Sequence, residues 1–254
     1  MSAQDSGRAK PVIWAVIPAR YGSTRFPGKP LALLAGKPMI QHVFESARQA
    51  DSFSRVMVAT DDVRIEEAVR GFGGTSVMTG EVETGTDRIA AAVEKEIALH
   101  GRPDWVMNIQ GDEPLIHSAD LDTLARGLPA APDGVLGTLV FPLQNEEELR
   151  DPNVVKAVLD KEQRAIYFSR APVPYPRGEG GLGWRHLGIY LFRTDFLFTF
   201  SRLPQTPLAR REQLEQLRAL ENGFPIHCFE AAHVSVGVDV PADLERVATH
   251  LQAL

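Results

Sequence analysis

The sequence predicts an α/β domain built on a mostly parallel sheet. Short apolar runs alternate with amphipathic segments of about ten to fifteen residues through the first half of the chain, the spacing of right-handed βαβ units. The first run, residues 12–17, is continuously apolar, as a strand covered on both faces must be. The length of 254 residues, 44% hydrophobic and 24% charged, is enough for one large buried core.

Taken in order, strand 12–17 leads through a loop into a helix over 38–49, with Met39, Ile40, Val43, Phe44 and Ala47 on one side. Strand 56–59, helix 63–72, strand 76–78, helix 86–99, strand 105–109 and helix 119–128 follow. The pattern then changes. Segments 135–141, 154–159, 165–168 and 187–192 are strand-like with few helices between them, which predicts an inserted, partly antiparallel layer at about 135–205. The Pro- and Gly-rich segment 172–183 is expected to be a mobile loop. A helix over 208–221, a strand over 226–229 and a helix over 241–251 close the chain. Residues 1–10 are polar, lack the apolar centre of a signal peptide, and are expected to be a disordered extension to a domain over 11–254.

Charge narrows the function. The formal net charge is −6, from 27 Lys plus Arg and 33 Asp plus Glu, which argues against nucleic acid as partner. No apolar run reaches the roughly eighteen residues of a membrane span. The single cysteine, Cys228, excludes an intramolecular disulfide and fits a reducing, cytoplasmic setting. His spacing shows neither HxH nor HxxxH, so zinc is not expected. Yet no acid lies between Ser6 and Phe44, where Arg8, Lys10, Arg20, Arg25, Lys29 and Lys37 all fall. A solvated basic face would explain this; so would a local anion site.

The loop after the first strand favours the anion site. Pro18-Ala19-Arg20-Tyr21-Gly22-Ser23-Thr24-Arg25-Phe26-Pro27-Gly28-Lys29-Pro30 has neither the GxGxxG of a dinucleotide fold nor a Walker A Lys-Ser/Thr pair. It offers three cations among small residues, whose backbone N–H groups can approach phosphate oxygens while Arg and Lys neutralise them. Two carboxylates, Asp112 and Asp239, follow apolar runs at the places where open parallel sheets bind ligands. Alone, Asp112 also reads as a turn residue and Asp239 as an N-cap-region residue before Pro241. Beside a phosphate loop the two read as a Mg²⁺ pair.

The loop from Ile17 to Pro30 resembles the signature of the 3-deoxy-manno-octulosonate cytidylyltransferases, or CMP-Kdo synthetases. Further matches are Val58-Ala59-Thr60-Asp61, Thr84-Gly85-Thr86-Asp87-Arg88, Asn108-Ile109-Gln110-Gly111-Asp112-Glu113-Pro114, Tyr167-Phe168-Ser169-Arg170, Arg185-His186-Leu187-Gly188-Ile189-Tyr190, Leu214-Glu215-Gln216-Leu217-Arg218 and Gly237-Val238-Asp239. They stand in the family's order and span nearly the whole chain. The first loop would also admit sialic acid cytidylyltransferases, whereas the stretches around His186 and Glu215 resemble the Kdo branch. Thr84 and Asp87 stand where the family more often has Ser and Glu, which keeps the hydroxyl and the charge.

The resemblance implies a Rossmann-like, three-layer nucleotidyltransferase (GT-A-like) fold whose inserted layer serves dimerisation and sugar binding. It implies transfer of CMP from CTP to the anomeric hydroxyl of Kdo for lipopolysaccharide synthesis, by a cytoplasmic homodimer. Arg20, Lys29, Asp112 and Asp239 would be catalytic, the two aspartates holding Mg²⁺. Ala19, Arg20, Ser23, Arg25, Lys29, Thr84, Gly85 and Thr86 would bind the nucleotide. Arg88, Gln110, Arg170, His186, Tyr190, Glu215 and Gln216 would bind the sugar. On their own, Arg88 reads almost equally as a helix-surface residue, His186 equally as a core histidine and Tyr190 as strand packing, whereas Glu215 and Gln216 read as exposed-helix residues and are included on the resemblance alone. The alternatives are a related acid sugar, such as 8-amino-Kdo or a nonulosonic acid, a nucleotide-sugar glycosyltransferase that would not need the cationic loop, or a catalytically dead nucleotide-binding module.

Overall fold

The computed structural model describes residues 10–22, 26–178, 181–238 and 240–251. The expected extension therefore lies outside the described residues, except for Lys10, whose ammonium donates to the Asp51 carbonyl at 3.1 Å. The first half alternates as the periodicity predicts. It runs β1 (Ile13–Ala19), a 3-10 turn (Lys29–Leu31), a small hairpin of β2 (Leu33–Leu34) and β3 (Lys37–Pro38), α1 (Met39–Gln49), β4 (Arg55–Thr60), α2 (Val63–Gly71), β5 (Ser76–Met78), α3 (Gly85–His100), β6 (Trp105–Asn108) and α4 (Ser118–Ala130). The second half holds β7 (Leu136–Pro142), α5 (Glu146–Arg150), β8 (Lys156–Leu159), β9 (Ala165–Ser169), β10 (Trp184–Arg193), α6 (Thr194–Arg202), α7 (Pro207–Glu212), α8 (Leu217–Glu221), β11 (His227–Glu230) and α9 (Asp243–Leu251).

One sheet takes up all strands but the small hairpin, in the order β11-β7-β10-β6-β1-β4-β5, with β8 on β10 and β9 on β8. β1 runs parallel to β4 and β6, β4 parallel to β5, and β7 parallel to β11. β10 alone along this path points the other way, antiparallel to both β6 and β7. The sheet is thus mixed but mostly parallel. The antiparallel strands expected at 135–205 extend this same sheet, and the β8–β9 hairpin is the part that leaves its main path.

Alternation decides which side chains meet which helices. Ile13, Ala15 and Ile17 face α1, α2 and α4 through Ile40, Val43, Ile65, Leu121 and Leu124. Trp14 and Val16 face the other way, against Ile89 and Val93 of α3 and, further along, Phe196, Phe200 and Leu217. Each such fully buried apolar side chain contributes roughly 1.5–3 kcal/mol. A third, small cluster joins Val247 of α9 to Leu34, Met39, Leu115 and Val238.

One helix expectation needs correction. Residues 208–221 are two short helices rather than one, because Gln213 adopts the left-handed conformation at φ 55° and stops α7. Phe196, Phe198 and Phe200 lie within α6, with the Phe196 and Phe200 rings tilted against each other one turn apart in the core.

Topology sets the site. The chain builds β1, β4 and β5 outward on one side, then returns through α3 to place β6 on the other side of β1. The connections leaving β1 and β6 part in opposite directions, which opens a crevice at their carboxyl ends.

Candidate active site

That crevice is a cleft of about 330 Å³. Its walls are Pro18, Ala19 and Arg20 at the end of β1, Lys29 and Pro30, the segment from Val82 to Gly85, Arg88 of α3, and Gln110, Gly111 and Asp112 after β6. Gly111 is required by close approach: a Cβ there would lie 3.0 Å from the Pro18 carbonyl oxygen, a backbone atom that cannot move aside. Asp112 is presented on this tight turn, and the Lys29 ammonium meets its Oδ2 at 2.5 Å. The same ammonium donates to the Val238 carbonyl at 3.0 Å, and the Val238 N–H donates to the Asp112 carbonyl at 2.9 Å.

The other side of the cleft is the start of α3. Thr84 caps it, accepting from the Asp87 N–H at 3.1 Å while the Asp87 carboxylate accepts from the Thr84 N–H at 3.2 Å. The N–H groups of Gly85 and Thr86 have no intrahelical acceptor, and Gly85 lines the cleft, so the positive end of the helix faces it. One turn in, Arg88 is only 4% exposed. Its guanidinium donates to Asp61 at 2.6 Å and to Thr79 Oγ1 at 2.7 Å, and these fix it on the cleft floor.

A second group of expected residues gathers on β10. The pairing of β10 with β7 slips between Leu187 and Tyr190, a bulge whose carbonyls are gathered by Thr138. The Thr138 hydroxyl donates to the Ile189 carbonyl at 2.7 Å, so it accepts from His186 Nε2–H at 3.0 Å, which assigns that tautomer. Desolvation between Phe168 and Tyr190 pushes the imidazole down to about 3, so it is neutral near pH 7. Burial, reinforced by the nearby Glu215 carboxylate and Cys228, raises the Tyr190 phenol well above its ordinary value and keeps it a donor.

Glu215 and Gln216 complete this face. They lie in the turn between α7 and α8, and with Thr86, Leu136, Tyr190, Phe192 and Phe200 they line a cavity of about 10 Å³. Burial raises the Glu215 carboxyl, against the lowering pull of the Arg218 guanidinium at 2.5 Å and the Thr86 hydroxyl at 2.9 Å. Gln216 is 4% exposed, and its amide nitrogen has no hydrogen-bond partner. The exposed-helix reading thus fails for Gln216, while Glu215 sits in a turn with its side chain about one-third exposed. A buried amide without a partner costs about 1–3 kcal/mol unless a ligand meets it.

Not every expected residue joins. Arg170 lines neither cavity; it donates to the carbonyls of Pro152 at 2.9 Å and Glu212 at 2.8 Å. It thereby helps hold the α7 end that precedes Glu215 and Gln216. Ser23, Arg25 and Asp239 lie outside the described residues. Three contributions were missed: Val82 and Glu83 in the cleft wall, the Asp61–Thr79 seat of Arg88, and Thr138 under the bulge. Only Asp61 carried a signal, as an acid directly after a buried strand.

The donor set fits a hard cation. Asp112 is one-third exposed at the cleft rim, and a single carboxylate plus substrate phosphates and water is the usual Mg²⁺ environment. Among the described residues, no three His, Cys, Asp or Glu side chains converge as a metal site.

The fold and the cleft define a nucleotidyltransferase. Residues 14–230 match the Cytidylyltransferase family. The 3-deoxy-manno-octulosonate cytidylyltransferase of Syntrophotalea carbinolica is 50% identical over 253 residues, 95% of this chain and 99% of that protein. The enzyme of the same description from Myxococcus xanthus is 50% identical over 94% of this chain and 96% of its own length. A solved structure of CMP:2-keto-3-deoxy-manno-octonic acid synthetase complexed with CTP superposes with a TM-score of 0.88 at 44% identity, covering 96% of this chain and 100% of that one. A structure of 4-diphosphocytidyl-2C-methyl-D-erythritol synthase, 16% identical with a TM-score of 0.66 over 94% of this chain and 99% of that one, shares the fold. The chain belongs to the 3-deoxy-manno-octulosonate cytidylyltransferase family.

Proposed function

We propose that this protein transfers CMP from CTP to the anomeric hydroxyl of Kdo, releasing pyrophosphate and giving CMP-Kdo for lipopolysaccharide synthesis. The observation that carries the reading is half identity to such enzymes over nearly the whole chain. In this reading Arg20 and Lys29, with Ser23 and Arg25 of the same loop, hold the triphosphate and neutralise the departing pyrophosphate. Ala19 and the α3 start at Thr84, Gly85 and Thr86 hold the nucleoside. Arg88 and Gln110 receive the sugar at the cleft floor, and His186, Tyr190, Glu215 and Gln216 receive it on β10. The orphaned Gln216 amide donates to a sugar oxygen, and Glu215 accepts from a hydroxyl. Arg170 contributes by holding the turn that carries both.

Asp112 and Asp239 would hold Mg²⁺, which when bound supplies charge neutralisation at the phosphates and acidifies the attacking hydroxyl. Lys29 touches Asp112, so one cation serves both the carboxylate and an incoming phosphate. The neutral His186 adds no charge to the sugar side, which leaves the sugar carboxylate to Arg88. Exposed Ile166 on β9 and Tyr175 beyond it suit a second copy of the chain, giving a homodimer whose mass light scattering would report. Among the described residues no helix is long and apolar enough to cross a membrane, and the site of action assigned here is the cytoplasm.

The test is pyrophosphate release with CTP and Mg²⁺ against a panel of Kdo, 8-amino-Kdo and nonulosonic acids. Kdo is expected to give the highest kcat/KM. No release with Kdo, or faster turnover of another acid, overturns the assignment.

A further inference from the structure

Residues 231–238 leave β11 and run, without helix or strand, to the mouth of the cleft. Lacking ladder hydrogen bonds, this segment must find other partners, and most of them come from the turn after β6 and the start of α4. At its outer end the N–H groups of Ala232 and His233 donate to the Asp120 carboxylate at 2.8 and 3.2 Å, and His233 Nδ1 meets it at 3.1 Å. Asp120 is 2% exposed, a burial that an acid sustains only when such donors surround it. In the middle, Ser235 is also 2% exposed. Its hydroxyl donates to Glu113 Oε2 at 2.5 Å, and its carbonyl accepts from Arg185 at 3.3 Å. At Gly237 a Cβ would lie 3.2 Å from Glu113 Oε1, so the backbone rests directly on that carboxylate. At the inner end Val238 grips both members of the Lys29–Asp112 pair.

We propose that residues 231–238 form a positioning strap for the Lys29–Asp112 pair, with Ser235 and Glu113 as its positioning residues and Asp120 as its outer pin. The proposal rests on the reading of the cleft as the phosphate and metal site. Val238 lies three residues on from Ser235, at most about 10 Å of chain, so the Ser235–Glu113 bond restricts where the Val238 carbonyl stands. That carbonyl is one of the acceptors that orient the Lys29 ammonium. Asp239 follows Val238 in the chain, so the strap also leads directly into the second expected carboxylate.

The experiment compares Ser235→Ala, Ser235→Thr and Asp120→Asn with the unaltered protein. Hydrogen–deuterium exchange over 231–238 and titration with Mn²⁺ alone need no sugar; kcat, the KM for CTP and the Mg²⁺ concentration for half-maximal rate complete the set. Ser235→Ala is expected to speed exchange in the strap, weaken Mn²⁺ binding and lower kcat, each by about tenfold, while the KM for CTP changes less than about threefold. Ser235→Thr keeps the hydroxyl and restores all three, and Asp120→Asn speeds exchange mainly at 232–233 with a smaller loss of kcat. Faster exchange with Mn²⁺ affinity and kcat unchanged overturns the proposal, as does a loss of kcat with exchange unchanged. Absence of pyrophosphate release from the unaltered protein with Kdo would instead fail the substrate assignment, leaving the exchange and Mn²⁺ results to decide the strap.

Discussion

The strand-end cleft and the β10 face solve different physical problems a few residues apart. The cleft is open and charged, about 330 Å³ between an Arg- and Lys-bearing loop and a helix N-terminus. The β10 face is nearly closed, with about 10 Å³ left among Tyr190, Phe192 and Phe200. In the cleft, charge is matched by charge, as Lys29 with Asp112 and Arg88 with Asp61. On β10, burial dominates: it drives His186 down to about 3 and lifts both Glu215 and Tyr190. A triphosphate arrives with many charges and needs counter-charge more than shape. A sugar is recognised by hydroxyls, which discriminate best when the protein's own polar groups are desolvated and left wanting a partner. Thr86, at the α3 start and bonded to Glu215, joins the two regions.

Breaking the cleft should have the largest effect. Asp112→Ala is expected to lower kcat by roughly 10³-fold or more and Lys29→Ala by about 10²–10³-fold, the scale of losing one electrostatic partner of a transition state. Sugar binding measured by calorimetry should stay within about threefold for both. A kcat loss under tenfold for Asp112→Ala would remove it from the chemistry.

Breaking the β10 face should act on the sugar alone. Gln216→Ala removes an amide donor that has no partner within the protein. Its loss is expected to raise the KM for the sugar about 10- to 100-fold, the worth of a desolvated hydrogen bond, with the KM for CTP unchanged within about twofold. Equal changes in both constants would show that the two regions are not separate subsites. Gly111→Ala tests the close packing beneath the cleft. Its Cβ would press on the Pro18 carbonyl, costing about 1–2 kcal/mol of stability by denaturant unfolding.

How much of this was legible in the sequence follows the same division. The cleft is a product of topology, and apolar runs ending in Arg20 and Gly111-Asp112 announced both the strands and what they carry. The helices of the first half were legible to within a few residues because their apolar faces pack on one continuous sheet. The second half was less so. A left-handed Gln213, which splits the expected helix over 208–221, is not signalled by residue type. Glu215 and Gln216 look like surface residues because their environment depends on Tyr190, beside a bulge that no periodicity encodes, and on Phe200 of α6, distant in sequence. Only the resemblance of the motif around them pointed to the site.

The smallest effect tests desolvation on β10 directly. His186 titrates near 3 in the fold and near its ordinary 6.5 when unfolded. Between those values the unfolded chain binds a proton that the native chain refuses, so stability falls as the pH drops from about 6.5 towards 3. From pH 7 to pH 6 this single group removes about 0.7 kcal/mol. In a protein of this size that is roughly 2 °C in Tm. His186→Gln can keep a hydrogen bond to Thr138 while abolishing the titration, so its Tm should change less than that of the unaltered protein over this interval. Glu215, whose carboxyl is raised, works in the opposite sense and gains stability as the pH falls through its folded-state value towards 4.5. The His186 contribution is therefore read as the difference in pH slope between His186→Gln and the unaltered protein, which share the Glu215 contribution. An identical pH slope in His186→Gln and the unaltered protein would mean that the imidazole is hydrated, and that the contrast between an open, charged cleft and a desolvated β10 face does not hold at this residue.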